Sequence, residues 1–132
     1  MTYVNDSKAT NPDAVLKALT AFDERPVLVL LGGRNKGNDF GELARACRGR
    51  CRLSVLYGEC RAELEAAFTV CGASFMTAGG MVEALGMARA EADAGDVVLL
   101  SPACASFDEF GNYEERAAAF SAAVTAWAGG LR

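Results

Sequence analysis

Pro26-Val27-Leu28-Val29-Leu30-Leu31-Gly32-Gly33 is the stretch on which the reading of the fold turns. Val27 to Leu31 form a short unbroken apolar run, opened by a proline and closed by a glycine pair. A run this short fits a strand buried on both faces, without the alternation of a half-exposed one. Such strands belong to parallel sheets packed between helices. Arg52–Tyr57 and Val97–Leu100 repeat the profile, and Ala73–Met76 does so more weakly.

The segments between these runs change to helical spacing. Pro12–Phe22 has Asn11 as its N-cap, proline at the first helical position and Asp13 in the first turn, with Val15, Leu16, Leu19 and Phe22 on one face. Phe40–Cys47, Cys60–Cys71 and Met81–Ala94 follow the same logic. Tyr113–Trp127 closes the chain with Phe120, Val124 and Trp127 on one side. Strand and helix in alternation predict an α/β sandwich around a mostly parallel sheet, a single domain over residues 1–132. In an open sheet of this kind ligands bind beyond the carboxyl ends of the strands. That rule directs attention to the loops Gly32–Asp39 and Ser101–Asn112.

Composition narrows the chemistry. With 132 residues, 52% hydrophobic and 23% charged, the chain suits one core and is not a disordered sequence. Thirteen basic against seventeen acidic residues leave a net charge of −4, which argues against nucleic acid and anionic membrane as partners. No histidine is present, so the commonest general base and the Ser/His and Cys/His nucleophile pairs are missing, and so are most zinc-site patterns. The five cysteines are odd in number and hold no C-x-x-C pair; they read as reduced, mostly buried fillers of a cytosolic protein. The first residues contain no apolar signal core and no stretch approaches the ~20 apolar residues of a membrane span, so the expectation is a soluble, unexported, cytoplasmic protein.

Three polar segments stand out against this background. Asn5–Asn11 precedes the first helix; Thr10 and Asn11 can cap that helix with Asp6, Ser7 and Lys8 solvated, or Lys8 and the helix N-terminus can form a corner that faces an anion. Leu31–Phe40, LGGRNKGNDF, lacks the P-loop and Gly-x-Gly-x-x-Gly patterns. It reads either as an ordinary strand-to-helix turn capped by Asn38 or Asp39, or as the seat of an ammonium that holds a carboxylate or phosphate. Lys8 and Lys36 are two of only three lysines in the chain, and both fall in these loops. Leu100–Arg116, LSPACASFDEFGNYEER, leaves a strand through small residues that let a ligand approach, and puts the Ser106 hydroxyl beside the aromatic residues Phe107, Phe110 and Tyr113. Cys104 has no histidine to activate it as a nucleophile.

Taken in order, NDSKATN, LLGGRNKGNDF and GDVVLLSPACASFDEFGNYEERAAAF resemble the C-terminal domain of the D-glutamate-adding branch of the Mur ligases, the UDP-N-acetylmuramoylalanine–D-glutamate ligases of peptidoglycan synthesis. The likeness runs from about Tyr3 to about Trp127, and the DNPR-type string of the diaminopimelate-adding relatives is absent. The resemblance implies a Rossmann-like three-layer sandwich with a mostly parallel sheet. It also implies a three-domain ATP-dependent amide ligase, of which this chain matches the last domain. ATP and Mg2+ would be bound mainly by the central domain, and UDP-N-acetylmuramoyl-L-alanine by the others. No catalytic residue and no metal ligand is expected within this chain.

Residue by residue, the resemblance makes Lys36 the holder of a glutamate carboxylate. Thr10 and Ser106 become hydroxyl or amide partners of D-glutamate, and Phe107 and Tyr113 its backbone and aromatic contacts. Asp6 becomes the acid that reaches the ATP ribose, and Lys8 its basic neighbour at the interdomain cleft. Tyr113 replaces the more usual Phe, and Arg34-Asn35 the commoner acidic choice before the lysine. In that family an acyl phosphate on the nucleotide substrate is attacked by the amine of D-glutamate, and this domain serves orientation. The other readings are a free-standing α/β binding or interaction module, and a related Mur or folylpolyglutamate-type ligase domain for another amino acid.

Overall fold

The computed structural model describes residues 2–22, 25–35, 37–104, 106 and 109–130, with side chains as far as Trp127. The elements run β1 (Thr2–Asn5), α1 (Pro12–Thr20), β2 (Val27–Gly32), α2 (Gly41–Arg50), β3 (Cys51–Tyr57), α3 (Arg61–Cys71), β4 (Phe75–Thr77), α4 (Met81–Glu91), β5 (Val97–Ala103) and α5 (Tyr113–Gly130). The five strands form one sheet in the order β1-β5-β2-β3-β4, and every pairing is parallel. The expected three-layer α/β sandwich is therefore present, with a wholly parallel sheet.

Side-chain alternation along the strands splits the core in two. Val27, Val29, Leu31, Val97 and Leu99 turn to one face, where Val15 and Leu19 of α1, Leu43 and Cys47 of α2, and Leu64 and Phe68 of α3 pack on them. Leu28, Leu30, Val98 and Leu100 turn to the other, against Met81, Ala84, Leu85 and Ala88 of α4 and Phe120 of α5. A strand covered in this way cannot alternate in hydrophobicity, which is why VLVLL reads as an unbroken run.

β1 is an element the sequence reading did not foresee. Its four residues are exposed at both ends and only half-buried at Tyr3 and Val4, and it is bonded along one edge alone, to β5. Such an edge strand carries too few apolar residues to show a period. Its anchor is aromatic: the Tyr3 ring meets Phe120 edge-on at 6.4 Å and Trp127 at 6.3 Å.

Several boundaries also differ from the expected ones. α2 continues past Cys47 to Arg50, and β5 runs past Leu100, through Pro102, to Ala103. Proline is tolerated there because β1 stops pairing at Leu100 and the register with β2 shifts between Leu30 and Gly32. α4 ends at Glu91, short of Ala94, because Arg52 takes the Glu91 carbonyl at 2.7 Å and the buried Asp96 carboxylate accepts from the Asp93 amide at 2.8 Å.

Connectivity then places a crevice. The chain leaves β1 and β2 toward α1 and α2 on one face, and leaves β5, which lies between them, toward α5 on the other. Loops departing to opposite faces from adjacent parallel strands open a gap at the carboxyl edge. The loops around residues 6–11, 33–40 and 104–112 all leave from that edge.

Arg116, in the first turns of α5, is 1% exposed and staples two of these loops. Its guanidinium donates to the Ser7 hydroxyl at 2.9 Å, the Ser7 carbonyl at 2.7 Å and the Cys104 carbonyl at 3.0 Å. Ser7, 2% exposed, donates its own hydroxyl to the Tyr113 carbonyl at 2.7 Å. Ala103 donates to the Ala9 carbonyl at 2.9 Å and completes the junction.

Arg116→Ala strands two buried carbonyls and should lower unfolding free energy by roughly 2–5 kcal/mol, with Arg116→Lys recovering only part, measured by urea titration. Gly32→Ala should cost about 1–3 kcal/mol on the same measurement. A methyl at Gly32 would drive into the Tyr57 carbonyl and come within 2.7 Å of its ring.

Candidate functional site

The first loop begins where β1 ends. Asn5 donates its side-chain amide to the Ala117 carbonyl at 2.9 Å and to the Ser121 hydroxyl at 3.0 Å, which ties the strand end to α5. Asp6 donates its amide to the Leu100 carbonyl at 2.7 Å and accepts the Ser101 hydroxyl on Oδ2 at 3.0 Å. The Ala9 amide donates back to the Asp6 carbonyl at 3.0 Å and closes a turn. Asn11 caps α1, accepting from Ala14 at 3.0 Å. Thr10 takes no part in that cap: its half-buried hydroxyl is bonded to none of the described residues. Lys8 is exposed and shares a groove of about 440 Å³ along α1 with Asp6 and Lys17, floored by Ala9, Ala14 and Ala18.

The second loop is held from both flanks. Gly33 has φ +125° and its carbonyl accepts the Cys60 amide at 2.9 Å, joining the turns after β2 and β3. Asn35 closes a turn on Asn38, accepting its amide at 2.9 Å and donating to its carbonyl at 3.0 Å, and donates to Glu63 at 2.6 Å. Arg34 pairs with Glu59 at 3.2 Å, so its charge is met locally. Asp39, one of the two residues proposed as a cap, accepts the Gly41 amide at 2.7 Å, but the N-cap position of α2 falls to Phe40, which makes no side-chain cap bond. Lys36 itself lies outside the described residues.

The third loop leaves β5 through Ala103, whose φ of +69° is the one left-handed value at a described non-glycine residue. An alanine in that region costs roughly 1–2 kcal/mol, sustained here by the Ala9 bond. Ser106 is 2% exposed, yet its hydroxyl is bonded to no described residue, while its carbonyl accepts from Glu109 at 3.2 Å and Phe110 at 2.8 Å. Tyr113 is 39% exposed at the start of α5. Of the aromatic wall expected from Phe107, Phe110 and Tyr113, the last two are described. Phe110 packs against the core cluster of Leu30, Leu100 and Met81, and Phe107 lies outside the described residues.

Among the cysteines, Cys47, Cys60 and Cys104 are buried, Cys51 and Cys71 half-buried, and all five are free thiols. Cys60 and Cys104 touch, sulfur to sulfur, at 3.2 Å. A hydrogen bond with Cys47, then burial, push the Cys51 thiol far above the ordinary thiol range, so it stays protonated and inert. Among the described residues no three His, Cys, Asp or Glu side chains are grouped to hold a metal ion, and no helix is long and apolar enough to cross a membrane.

The structure therefore brings Asp6, Lys8 and Thr10 to the same rim as Ser106 and Tyr113, from loops locked together through Ser7 and Arg116. Sequence reasoning missed Ser7, Ser101, Arg116 and Glu109. Ser7 reads as solvated loop and Arg116 carries no assigned role; their contact spans 109 residues of chain, so no local pattern names the partners.

Residues 1–104 match the Mur ligase, glutamate ligase domain family. The UDP-N-acetylmuramoylalanine–D-glutamate ligase of Desulfitobacterium hafniense (strain Y51) is 47% identical over 123 residues, covering 92% of this chain and 27% of that protein. The enzymes of the same name from Salinibacter ruber and Chlamydia abortus are 48% and 43% identical over 89% and 92% of the chain, which covers 25% and 29% of them. The chain thus spans about a quarter of the length of these curated relatives. A solved domain from Haemophilus ducreyi 35000HP, assigned to a UDP-N-acetylmuramate:L-alanyl-gamma-D-glutamyl-diaminopimelate ligase, has the same fold. Its TM-score is 0.55 at 15% identity, covering 86% of this chain and 85% of that one. With a doubly covered parallel sheet, a rim of polar loops at its carboxyl edge and these matches over most of its length, the chain belongs to the Mur ligase, glutamate ligase domain family.

Proposed function

We propose that this chain is the amino-acid-presenting domain of an ATP-dependent amide ligase that adds D-glutamate to UDP-N-acetylmuramoyl-L-alanine in cell-wall synthesis. The observation that carries the reading is Ser106: a hydroxyl on a residue 2% exposed, at the rim where the loops converge, with no bond to the described residues. A hydroxyl at this rim that spends none of its bonding capacity on the described residues is available to donate to a ligand carboxylate. The names of the 43–48% identical relatives supply the substrate pair.

D-Glutamate carries two carboxylates and one ammonium, so an acidic chain has to place its cations locally. In this reading Lys36 pairs with one carboxylate, while Thr10 and Ser106 donate hydroxyl protons and Phe107 and Tyr113 border the carbon chain. These residues orient the amine; none is a nucleophile, so the absence of histidine is no obstacle.

Nucleotide chemistry belongs to residues elsewhere in the polypeptide, because the chain has no Gly-Lys-Ser/Thr cradle for phosphates. What it offers fits an edge contact. Asp6 uses one carboxylate oxygen on Ser101, and its other oxygen is bonded to none of the described residues, leaving it to accept from a ribose hydroxyl. Lys8 and Lys17 add positive charge along the same groove. ATP with Mg2+ supplies the activation of the acceptor carboxylate. This chain's part is to bring the amine to it in a closing, water-poor cleft.

The test is D-glutamate-dependent phosphate release by the full polypeptide with ATP and UDP-N-acetylmuramoyl-L-alanine. Lys36→Ala should raise the D-glutamate KM at least tenfold, on the order of 1.4 kcal/mol. Ser106→Ala should raise it by about tenfold or more, the loss of one hydrogen bond to a charged group, with the ATP KM unchanged. Release that ignores D-glutamate, or an unaltered KM in both variants, would refute the assignment.

A further inference from the structure

We infer that Glu109 is a positioning residue, which holds the Ser106 turn in place by capping α4 from 28 residues away. The inference rests on the reading of Ser106 as a glutamate ligand and adds to it the device that fixes that ligand.

α4 starts without a cap of its own. Its N-cap residue is Gly80, which has no side chain to accept a first-turn amide. The Glu109 carboxylate takes that role, accepting from the Met81 amide with both oxygens at 3.2 Å. A helix N-terminus favours a negative group, so the contact has a direction as well as a bond. The carboxylate rests on Gly80 itself: a methyl there would come within 2.7 Å of its Oε2, so the bare Gly80 leaves the seat that Glu109 occupies.

At its other end Glu109 belongs to the Ser106 turn, its amide donating to the Ser106 carbonyl at 3.2 Å beside that of Phe110 at 2.8 Å. Phe110 is fixed in turn by packing against the Met81 and Leu100 cluster. Ser106 thus has its carbonyl bound by two amides, and one of the residues supplying them is clamped to the first turn of α4. α4 packs on β2 and β3 through Met81, Ala84, Leu85 and Ala88, so the clamp refers the turn to the sheet. The Ser106 hydroxyl is bonded to none of the described residues while the backbone carrying it is held, which is how a binding group is preorganised on a loop.

Glu109 is exposed, so its replacement should not unfold the protein. In the full polypeptide, Glu109→Ala should raise the D-glutamate KM three- to tenfold while kcat and the ATP KM stay within twofold. Glu109→Gln, whose amide oxygen still accepts from Met81, should restore most of that affinity. Hydrogen exchange supplies a readout independent of turnover: in Glu109→Ala the Met81 and Phe110 amides should exchange at least threefold faster than in the unaltered protein. An unchanged D-glutamate KM with faster exchange would show a cap that positions nothing, and unchanged exchange would show no clamp; either overturns the inference. Should the unaltered protein show no D-glutamate-dependent turnover, the functional reading falls, while accelerated Phe110 exchange in Glu109→Ala would still support the clamp.

Discussion

β5 is hydrogen-bonded along both edges, to β1 and to β2, and covered by helices on both faces, so neither its position nor its register can slip without exposing a row of buried residues. Its chain exits toward one face of the sheet while those of its two neighbours exit toward the other. The gap at the carboxyl edge is the geometric remainder of that arrangement. Every candidate ligand residue among the described ones sits on a loop leaving this gap or at the start of the helix that follows.

Holding three loops at such a gap is a polar problem, and the chain solves it mainly with arginine and backbone groups. Arg116 is buried against Ser7 and Cys104, Arg34 is matched by Glu59, and Arg52 is matched by Asp93 and Asp96 at the opposite edge of the sheet. The planar guanidinium suits this work because it satisfies several acceptors in fixed directions. The lysines are used differently. Lys8 and Lys17 are exposed along one groove, where a compact, hydrated charge can meet an anionic partner without being drawn into the scaffold. An acidic chain thereby keeps mobile positive charge where the proposed substrates arrive.

The buried strands and the helices were legible because their periods are local properties: VLVLL announces two covered faces, and Pro12–Phe22 shows its cap, its proline and its apolar stripe within one short segment. The motifs carrying Asp6, Thr10, Lys36 and Ser106 were singled out through resemblance to a family rather than through any local period. β1 escaped because TYVN buries only two side chains part-way and gains its stability from β5, more than ninety residues later in the chain. Phe110 was misjudged because an aromatic next to a binding motif looks the same whether it faces a ligand or the core.

What the amino-acid order determined alone is therefore the inventory: which segments are strands or helices, how many layers cover the sheet, and which polar strings have no packing reason to exist. Only the tertiary structure decided that Ser7 and Arg116 are interior, that Gly80 must be bare because Glu109 sits on it, and that the Ser106 hydroxyl is bonded to none of the described residues. The physical reason is range. Periodicity and caps are set by neighbours three or four residues away, whereas burial of a polar group depends on acceptors brought from the far end of the chain, and those exist only once β5 has been laid between β1 and β2.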